Sequence, residues 1–256
     1  GTIIRSSRCP EFRNPGGRVR AAENLTEHQI DALVAMGGDG SFKALAALSM
    51  EHAVPVACIP ATIDNDVPGS DYALGVDTSL NVIRHAIDEI RDTASSFRRA
   101  FVIEVMGRTC GYLALVSALT GGAEICHIPE IEFNENAVIE RLKREFEQAM
   151  RNYAIGIVCE GVPNGTKRIQ KLFSEELGLT CRTTVLGHIQ RGGSPTVRDR
   201  LWAFETVTAA IDGLMAGRKS FSLVSRHGAL RVSEDFPTGP KELPADLLKL
   251  AQRLNE

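Results

Sequence analysis

The sequence predicts an α/β protein built from two doubly wound, mostly parallel sheets. Short runs of β-branched and other apolar residues alternate along the chain with amphipathic helical stretches, as expected of βαβ units. Most of these runs are nearly continuous in apolar character, which is typical of strands covered on both faces. The predicted strands are Asp31–Met36, Val54–Ile59, Phe101–Met106, Ala123–Ile128, Ala154–Cys159 and Thr183–Leu186.

Four helices are predicted with defined positions. Thr78 can cap a helix whose apolar residues recur every three or four positions. Asn134 or Asn136 can open the second, with apolar residues spaced four apart. The third is predicted from about Thr196 to Met215, and the last from Ala245 to Leu254. Further helices are expected to open directly after the glycine-rich turns that follow the first and third strands.

Composition excludes several classes of function. The chain has 256 residues, 29 Lys+Arg and 32 Asp+Glu, and its net charge of −3 argues against nucleic-acid binding driven by bulk charge. No apolar run approaches the roughly 20 residues of a membrane span, and the N-terminus lacks the pattern of a signal peptide. Six cysteines without C-x-x-C spacing are expected to be free thiols in a reducing cytosol, which predicts a cytoplasmic protein without a membrane partner.

The loops after the strands are where ligands bind in such sheets. The first strand leads into Gly37-Gly38-Asp39-Gly40-Ser41 and then a helix. Glycines let the backbone approach a phosphate at a helix N-terminus, and Asp39 could hold Mg²⁺ against it. The alternative is a tight turn in which Asp39 is only a cap.

The second strand leads into Pro60-Ala61-Thr62-Ile63-Asp64-Asn65-Asp66. If this segment is extended, Asp64 and Asp66 point to the same side. Two carboxylates at the end of a sheet suit a base together with a metal or water ligand, and an Asp accepts the substrate proton in protein kinases. The alternative is a turn in which Asp and Asn bond their own backbone.

Two further strand-end loops are basic. Arg108, in Gly107-Arg108-Thr109-Cys110-Gly111, opposes the dipole of the helix it opens and therefore suggests an anionic ligand. His188, Arg191 and the upstream Arg182 could form a cationic pocket for phosphate; the alternative is surface arginines and a core histidine. Taken together, the four loops predict a metal-assisted phosphotransferase with an acidic nucleotide side and a basic side for a phosphorylated acceptor.

The motifs that carry these loops resemble the bacterial ATP-dependent 6-phosphofructokinase family. The resemblance runs from about Thr2 to near the C-terminus and rests on four motifs in this order: GGDGS, PATIDND, EVMGRTCGY and VLGHIQRGGSP. It implies phosphoryl transfer from MgATP to the 1-hydroxyl of fructose 6-phosphate, with Asp64 as the base. It also implies a nucleotide and Mg²⁺ domain at 1–75 plus about 190–232, and a sugar-phosphate domain at 76–189 plus about 233–256.

The resemblance also implies the roles of individual residues. Catalysis would involve Asp64, Arg108, Thr62 and Asp66, and Asp39 would bind Mg²⁺. ATP would be bound by Arg8, Cys9, Gly38, Asp39, Gly40 and Ser41. Fructose 6-phosphate would be bound by Thr62, Ile63, Asp64, Arg99, Met106, Gly107, Arg108, Glu160, Arg182, His188, Ile189, Gln190 and Arg191. Arg99 and Arg182 would reach a neighbouring subunit's substrate in a homo-oligomer, either a dimer or a tetramer. Arg91, Glu124 and Arg151 match effector-site positions, whereas neighbouring basic positions carry other residues.

Departures from the family pattern leave alternatives open. Pyrophosphate-using relatives typically carry Asp where this chain has Gly40 and Lys where it has Ala61, so the resemblance favours ATP. Family members begin with a strand, a glycine-rich loop and a helix that have no counterpart here, and the first domain is therefore expected to be incomplete at its N-terminus. The alternatives are a pyrophosphate-dependent enzyme, a truncated chain that binds sugar phosphate without turnover, or a kinase of the NAD-kinase or lipid-kinase type.

Overall fold

A computed structural model describes Ser7 and residues 9–148, 150–236 and 239–256. The strands in this part of the chain are β1 (Leu33–Gly37), β2 (Val56–Pro60), β3 (Ala100–Val105), β4 (Ile125–His127), β5 (Ala154–Cys159), β6 (Cys181–Val185), β7 (Ser220–Arg226) and β8 (Ala229–Ser233). The helices are α1 (Pro15–Glu27), α2 (Asp39–His52), α3 (Val76–Phe97), α4 (Tyr112–Gly121), α5 (Glu135–Glu147), α6 (Gly165–Lys171), α7 (Val197–Met215) and α8 (Ala245–Asn255).

The chain forms two compact units. The first comprises Gly1–Thr62, Asp66–Gly75 and Pro195–Lys241, and the second Ile63–Asn65, Val76–Ser194 and Glu242–Glu256. The chain returns to the first unit at Pro195 and to the second at Glu242; the domain bounds near 190 and 233 that the resemblance implies stay a prediction. Residues 235 and 236 are bound within the first unit: Ser222 Oγ donates to Asp235 O at 2.9 Å, and the Phe236 ring packs edge-on against Phe42.

The first unit holds a four-stranded sheet in the order β1-β2-β7-β8. Strands β1, β2 and β7 are parallel, and β8 pairs antiparallel with β7. All five residues of β2 are buried, as the continuous apolar run predicted. Helix α7 covers one face through Ala210 and its neighbours beside Phe221, while Phe42 of α2 packs with Val56 and Cys58.

The second unit holds a fully parallel sheet in the order β4-β5-β3-β6. Central strand β5 is buried at every position, whereas edge strand β6 is mostly exposed. Helix α3 buries Ile83 and Ile87, two of the predicted apolar positions. Each sheet is therefore mostly parallel, and the predicted α/β class with two such sheets is confirmed.

Several element boundaries differ from the sequence predictions. Helix α3 begins at Val76, after Gly75 at φ 97°, so Thr78 lies in the first turn and does not cap the helix. Asn134 does cap α5 by accepting from Ala137 N at 3.2 Å. Strand β6 begins at Cys181 and not at Thr183, because its pairing with β3 extends to Ala100.

The sequence analysis did not predict the hairpin formed by β7 and β8. Its two-residue turn consists of His227 and Gly228, both at positive φ (52° and 73°), which is the backbone geometry favoured in tight hairpins. The dipeptide His227-Gly228 between two short, partly apolar runs is the sequence feature that could have indicated this hairpin. In the described part of the chain, no helix is both long enough and apolar enough to cross a membrane.

Candidate functional site

The donor-side residues lie where β1 ends and α2 begins. Gly38 is the N-cap of α2, and Asp39 is its first helical residue. Ser41 N and Phe42 N donate to Gly38 O at 2.9 and 3.2 Å, so the loop turns tightly into the helix. Backbone N–H groups at such an N-terminus, next to the carboxyl end of a parallel strand, form an anion site.

Asp39 has one carboxylate oxygen that remains available for a cation. Its Oδ2 pairs with Lys43 Nζ at 2.6 Å, whereas Oδ1 is buried and accepts no hydrogen bond from the described residues. A carboxylate oxygen is the kind of ligand that Mg²⁺ prefers. Among the residues that the structure describes, no group of three or more His, Cys, Asp or Glu side chains forms a metal-binding cluster.

The glycines of this loop show how much room surrounds it. A Cβ added at Gly40 would meet no atom within 4 Å, and one added at Gly38 would lie 3.5 Å from Thr62 Cβ and 3.9 Å from Asp66 Oδ1. Thr62 and Asp66 therefore lie next to the glycine turn. Ala61 is not among the described residues with positive φ, which explains why alanine is tolerated there.

Asp64 is a buried carboxylate of the second unit. Only 1% of the residue is exposed, and Arg108 Nε lies 3.2 Å from its Oδ2. The Arg108 side chain is 62% exposed, so its guanidinium can pair with Asp64 and also contact a ligand. Asn65 and Arg108 both have a left-handed backbone, at φ 52° and 53°. Such strain in non-glycine residues is concentrated at functional sites.

Glu160 and Gln190 support this region in ways that the sequence did not predict. Glu160 Oε1 accepts hydrogen bonds from Gly107 N at 3.2 Å and Arg108 N at 3.0 Å. Gln190 is 1% exposed; its Oε1 accepts from Met106 N at 3.1 Å, and its Nε2 donates to Gly187 O at 2.9 Å. The Gln190 side chain thus joins the end of β3 to the short helical turn Gly187–Arg191.

The other residues predicted to bind fructose 6-phosphate lie at the protein surface or directly beside Asp64. His188, Ile189 and Arg191 are exposed on the turn Gly187–Arg191, and Arg182 is exposed on edge strand β6. The Arg99 guanidinium stacks on Phe97, 4.7 Å from the ring centroid. Ile63 precedes Asp64 and is half-buried. On the donor side, Cys9 is exposed, and Arg8 lies outside the residues that the structure describes.

Two of the three residues at predicted effector positions, Glu124 and Arg151, belong to one ion network. Glu124 is fully buried, and its two carboxylate oxygens bond Arg151 Nη1 and Ile155 N. Arg151 Nε also pairs with Glu145 Oε2 at 2.6 Å. Burial raises the pKa of Glu124, while the Ile155 N–H and the cations Arg151 and Arg91 act in the opposite direction. One nitrogen of Arg91, Nη2, is buried and has no hydrogen-bond partner among the described residues.

Two mostly parallel sheets, with a Gly-Asp turn at one strand end and an Asp–Arg pair at another, are the features of an α/β phosphotransferase. The comparisons with known proteins narrow this class. The family described as Phosphofructokinase matches residues 1–214. An ATP-dependent 6-phosphofructokinase of Wolinella succinogenes is 50% identical over 99% of this chain and 80% of its own length. Another, of a Sulfurovum species, is 58% identical over 86% of this chain and 67% of its own length.

Solved structures agree with the sequence relatives. Phosphofructokinase from Saccharomyces cerevisiae superposes with a TM-score of 0.80 and 26% identity, over 99% of this chain and 36% of that one. A pyrophosphate-dependent phosphofructokinase from Marinobacter aquaeolei shares the fold, with a TM-score of 0.79 and 21% identity over 99% of this chain and 74% of that one. The chain belongs to the phosphofructokinase family, and the resemblance drawn from its four motifs is confirmed.

Proposed function

We propose that the chain transfers a phosphoryl group from MgATP to the 1-hydroxyl of fructose 6-phosphate, giving fructose 1,6-bisphosphate. The observation that carries the proposal is the Asp64–Arg108 pair, in which a buried carboxylate lies 3.2 Å from an exposed guanidinium. The names of the close relatives support both the substrate and the donor.

On the acceptor side, Asp64 accepts the proton of the attacking hydroxyl. Phosphoryl transfer needs little covalent work from the protein, so catalysis consists mainly of positioning and charge stabilisation. Arg108 pairs with Asp64 and offers the rest of its guanidinium to the transferring group. His188 and Arg191, exposed on the turn that Gln190 anchors, bind the 6-phosphate; Glu160 contributes by holding the Arg108 loop.

On the donor side, the first N–H groups of α2 and Ser41 bind the ATP phosphates. Asp39 Oδ1 suits Mg²⁺, with Asp66 nearby, and the ion when bound would neutralise phosphate charge. These groups belong to the first unit, whereas Asp64 belongs to the second, and the run Thr62–Asp66 contributes residues to both.

ATP is favoured as the donor over pyrophosphate. The open space around Gly40 leaves room for a nucleotide. Ala61 has no charged side chain, so it cannot supply the lysine contact that the resemblance implies for pyrophosphate. The likeness to pyrophosphate-dependent structures is one of fold alone, at 21% identity.

The proposal also covers the oligomer, the effector positions and the cellular location of the protein. Exposed Arg182 on edge strand β6, together with Arg99, suits contact with a second subunit's sugar phosphate, in a homodimer or homotetramer. At the effector positions, Glu124 and Arg151 are bound to each other, whereas Arg91 Nη2 has no partner in the described part of the chain and could donate to an effector. A cytoplasmic location stays a prediction from the sequence.

A steady-state assay with separate donors tests the proposal. We expect turnover with ATP and none with pyrophosphate alone. Asp64→Asn keeps the size of the side chain but removes the base, so kcat should fall on the order of 10²-fold or more. Asp92→Asn, an exposed position on α3, is the matched control and should behave as the unmodified chain. Fructose 6-phosphate binding without turnover would instead support the binding-only alternative, and turnover with pyrophosphate alone would overturn the donor assignment.

A further inference from the structure

The loop Gly107–Gly111 carries Arg108 in a conformation that needs external support. Gly107 has φ 139° and Arg108 has φ 53°, and the second value is disfavoured for any residue with a Cβ. Such a backbone persists only where the surrounding structure holds it. Because Arg108 contacts Asp64 from this loop, the groups that hold the loop determine where the guanidinium lies.

One end of the loop is held by a residue already placed in the substrate site. Glu160 Oε1 accepts from Gly107 N and Arg108 N. On the same side, Gly161 lies so close that a Cβ added to it would be 1.8 Å from Arg108 O. This end of the loop therefore has little freedom to move.

The other end is held by Glu130, which follows β4 and has no role in the site described so far. Gly111 N donates to Glu130 Oε1 at 2.7 Å. Gly111 is the N-cap of α4, so the carboxylate also lies at the positive end of a helix dipole. A Cβ on Gly111 would lie 2.4 Å from Glu130 Oε2 and 2.6 Å from Ile128 Cβ. Glu130 and Ile128 thus approach Gly111 closely, although Glu130 as a whole residue is exposed.

Cys159, the last residue of β5, contacts the middle of the loop through its thiol. Its Sγ lies 3.5 Å from Arg108 O and 3.7 Å from Cys110 O, and burial raises the thiol pKa to about 12. The thiol therefore stays protonated and can donate to these carbonyls. Cys110 N donates in turn to Gly107 O at 2.9 Å, which closes the loop into one tight turn. A displacement at Gly111 is consequently transmitted to Arg108, three residues away.

We propose that Glu130 is a positioning residue for phosphoryl transfer, whose carboxylate fixes Gly111 and thereby keeps the Arg108 guanidinium against Asp64. The proposal rests on the proposed function, because the consequence of losing Glu130 is read in that reaction. Glu130 itself contacts the loop backbone and acts on the reaction only through Arg108.

Variants of Glu130 separate its oxygen from its charge. Glu130→Gln keeps an acceptor oxygen at the same reach and should retain most of kcat. Glu130→Asp keeps the charge but withdraws the oxygen by one methylene, and Glu130→Ala removes it. Both should lower kcat about tenfold or more, since a misplacement of about 1 Å can cost 10²-fold, while the KM for ATP changes less than about twofold. Glu132→Ala is the matched control, because Glu132 lies two residues further on and is exposed as Glu130 is; its kcat should equal that of the unmodified chain.

A double variant tests whether Glu130 acts through Arg108. In an Arg108→Ala background, Glu130→Ala should lower kcat by less than about twofold, because residues that act through one group are not additive. An equal loss in both backgrounds would overturn the proposal. So would a Glu130→Gln variant as impaired as Glu130→Ala.

A measurement independent of turnover keeps this proposal separable from the proposed function. Amide hydrogen exchange at Gly111 and Arg108, followed by NMR, should accelerate at least about tenfold in Glu130→Asp, with the amides of β5 unchanged. If the unmodified chain neither turns over nor binds fructose 6-phosphate, the proposed function fails, yet this exchange result still decides the role of Glu130 in the loop. Unchanged exchange at both amides would overturn the positioning role.

Discussion

Removing Arg151 should destabilise the second unit, and by more at high pH than at low pH. The Glu124 side chain is 0% exposed, and one of its oxygens depends on Arg151, whose own side chain is 38% exposed. Losing one partner of a fully buried ion pair costs about 3–5 kcal/mol. The partial exposure of Arg151 and the remaining Ile155 N–H lower the expected cost of Arg151→Ala to about 2 kcal/mol at pH 8.

The dependence on pH follows from the direction of the pKa shift. Burial raises the pKa of Glu124 above its usual value, so ionisation of this carboxyl weakens folding. That penalty is absent below the unfolded-state pKa and develops as the pH rises through the folded-state pKa. Arg151→Ala removes a cation that opposes the shift and so raises the pKa further. The cost should therefore be smaller at pH 5, about 1 kcal/mol or less, where the carboxyl can protonate.

Glu145, the second carboxylate bound to Arg151, adds little to this difference between pH 8 and pH 5. Burial acts to raise the pKa of Glu145, but Arg141 and Arg151 outweigh it and the net shift is downward. Its stabilisation is present above the unfolded-state pKa and is lost as the pH falls. Since that loss begins only near the ordinary pKa of 4.5, removing Arg151 costs about the same at pH 8 and at pH 5 through Glu145, and Arg141, 3.0 Å away, limits the loss.

Hydrogen exchange of the β5 amides is the appropriate assay, because a chain with two units need not unfold in a single step. Lys143→Ala is the matched control: its pair with Glu176 is about half exposed on both sides and should be worth less than about 0.5 kcal/mol. In a Glu124→Gln background, Arg151→Ala should cost less than about 1 kcal/mol. An equal cost at both pH values, or in both backgrounds, would refute the reasoning.

Three further predictions concern buried and exposed groups. At pH 8 a thiol reagent should modify exposed Cys9 rapidly, while three buried thiols whose pKa burial raises to about 12 should react only on unfolding: Cys58, Cys126 and Cys159. Burial, and secondarily Arg168, lowers the pKa of His127 to about 4, so its ring NMR signals should not move between pH 8 and 5.5; a titration midpoint near 6.5 would contradict this. Phe204 on α7 is 77% exposed and Phe173 is 0% exposed. Phe204→Ser should therefore change the unfolding free energy by less than about 0.5 kcal/mol, whereas Phe173→Ala should lower it by about 3–5 kcal/mol. Similar costs for the two variants would show that the Phe204 ring is covered.

The sequence was most informative where the hydrophobic pattern was long and uninterrupted. The apolar run of β5 and the 3–4 spacing in α3 each correspond to an observed element, because burial on a sheet or along a helix face imposes that period. The cap at Asn134 was also recognisable from local chemistry. Strands β7 and β8 were missed because their serines and arginines interrupt the apolar pattern, and their pairing depends on partners distant in sequence.

The candidate site was predictable in its residue types and in its place at the ends of strands. Glycine next to Asp39, and carboxylates after a buried strand, are chemical requirements of phosphate and metal binding that can be read from local order. The pairing of Asp64 with Arg108 joins positions 44 residues apart, and no local pattern specifies it. Gln190 illustrates the same limit: the motif that contains it suggests a ligand residue, whereas its buried amide holds Met106 and Gly187.

The sequence by itself determined the α/β class, the family and the set of polar loops, because periodicity and motif chemistry are properties of neighbouring residues. Only the tertiary structure decided which of these residues meet. In the tertiary structure, Glu130 accepts a hydrogen bond from Gly111 and Glu160 accepts from the Arg108 backbone. Arg151 pairs with the buried carboxylate of Glu124. These contacts join separate strands and loops, and the energy of a buried charge depends on what the fold places beside it.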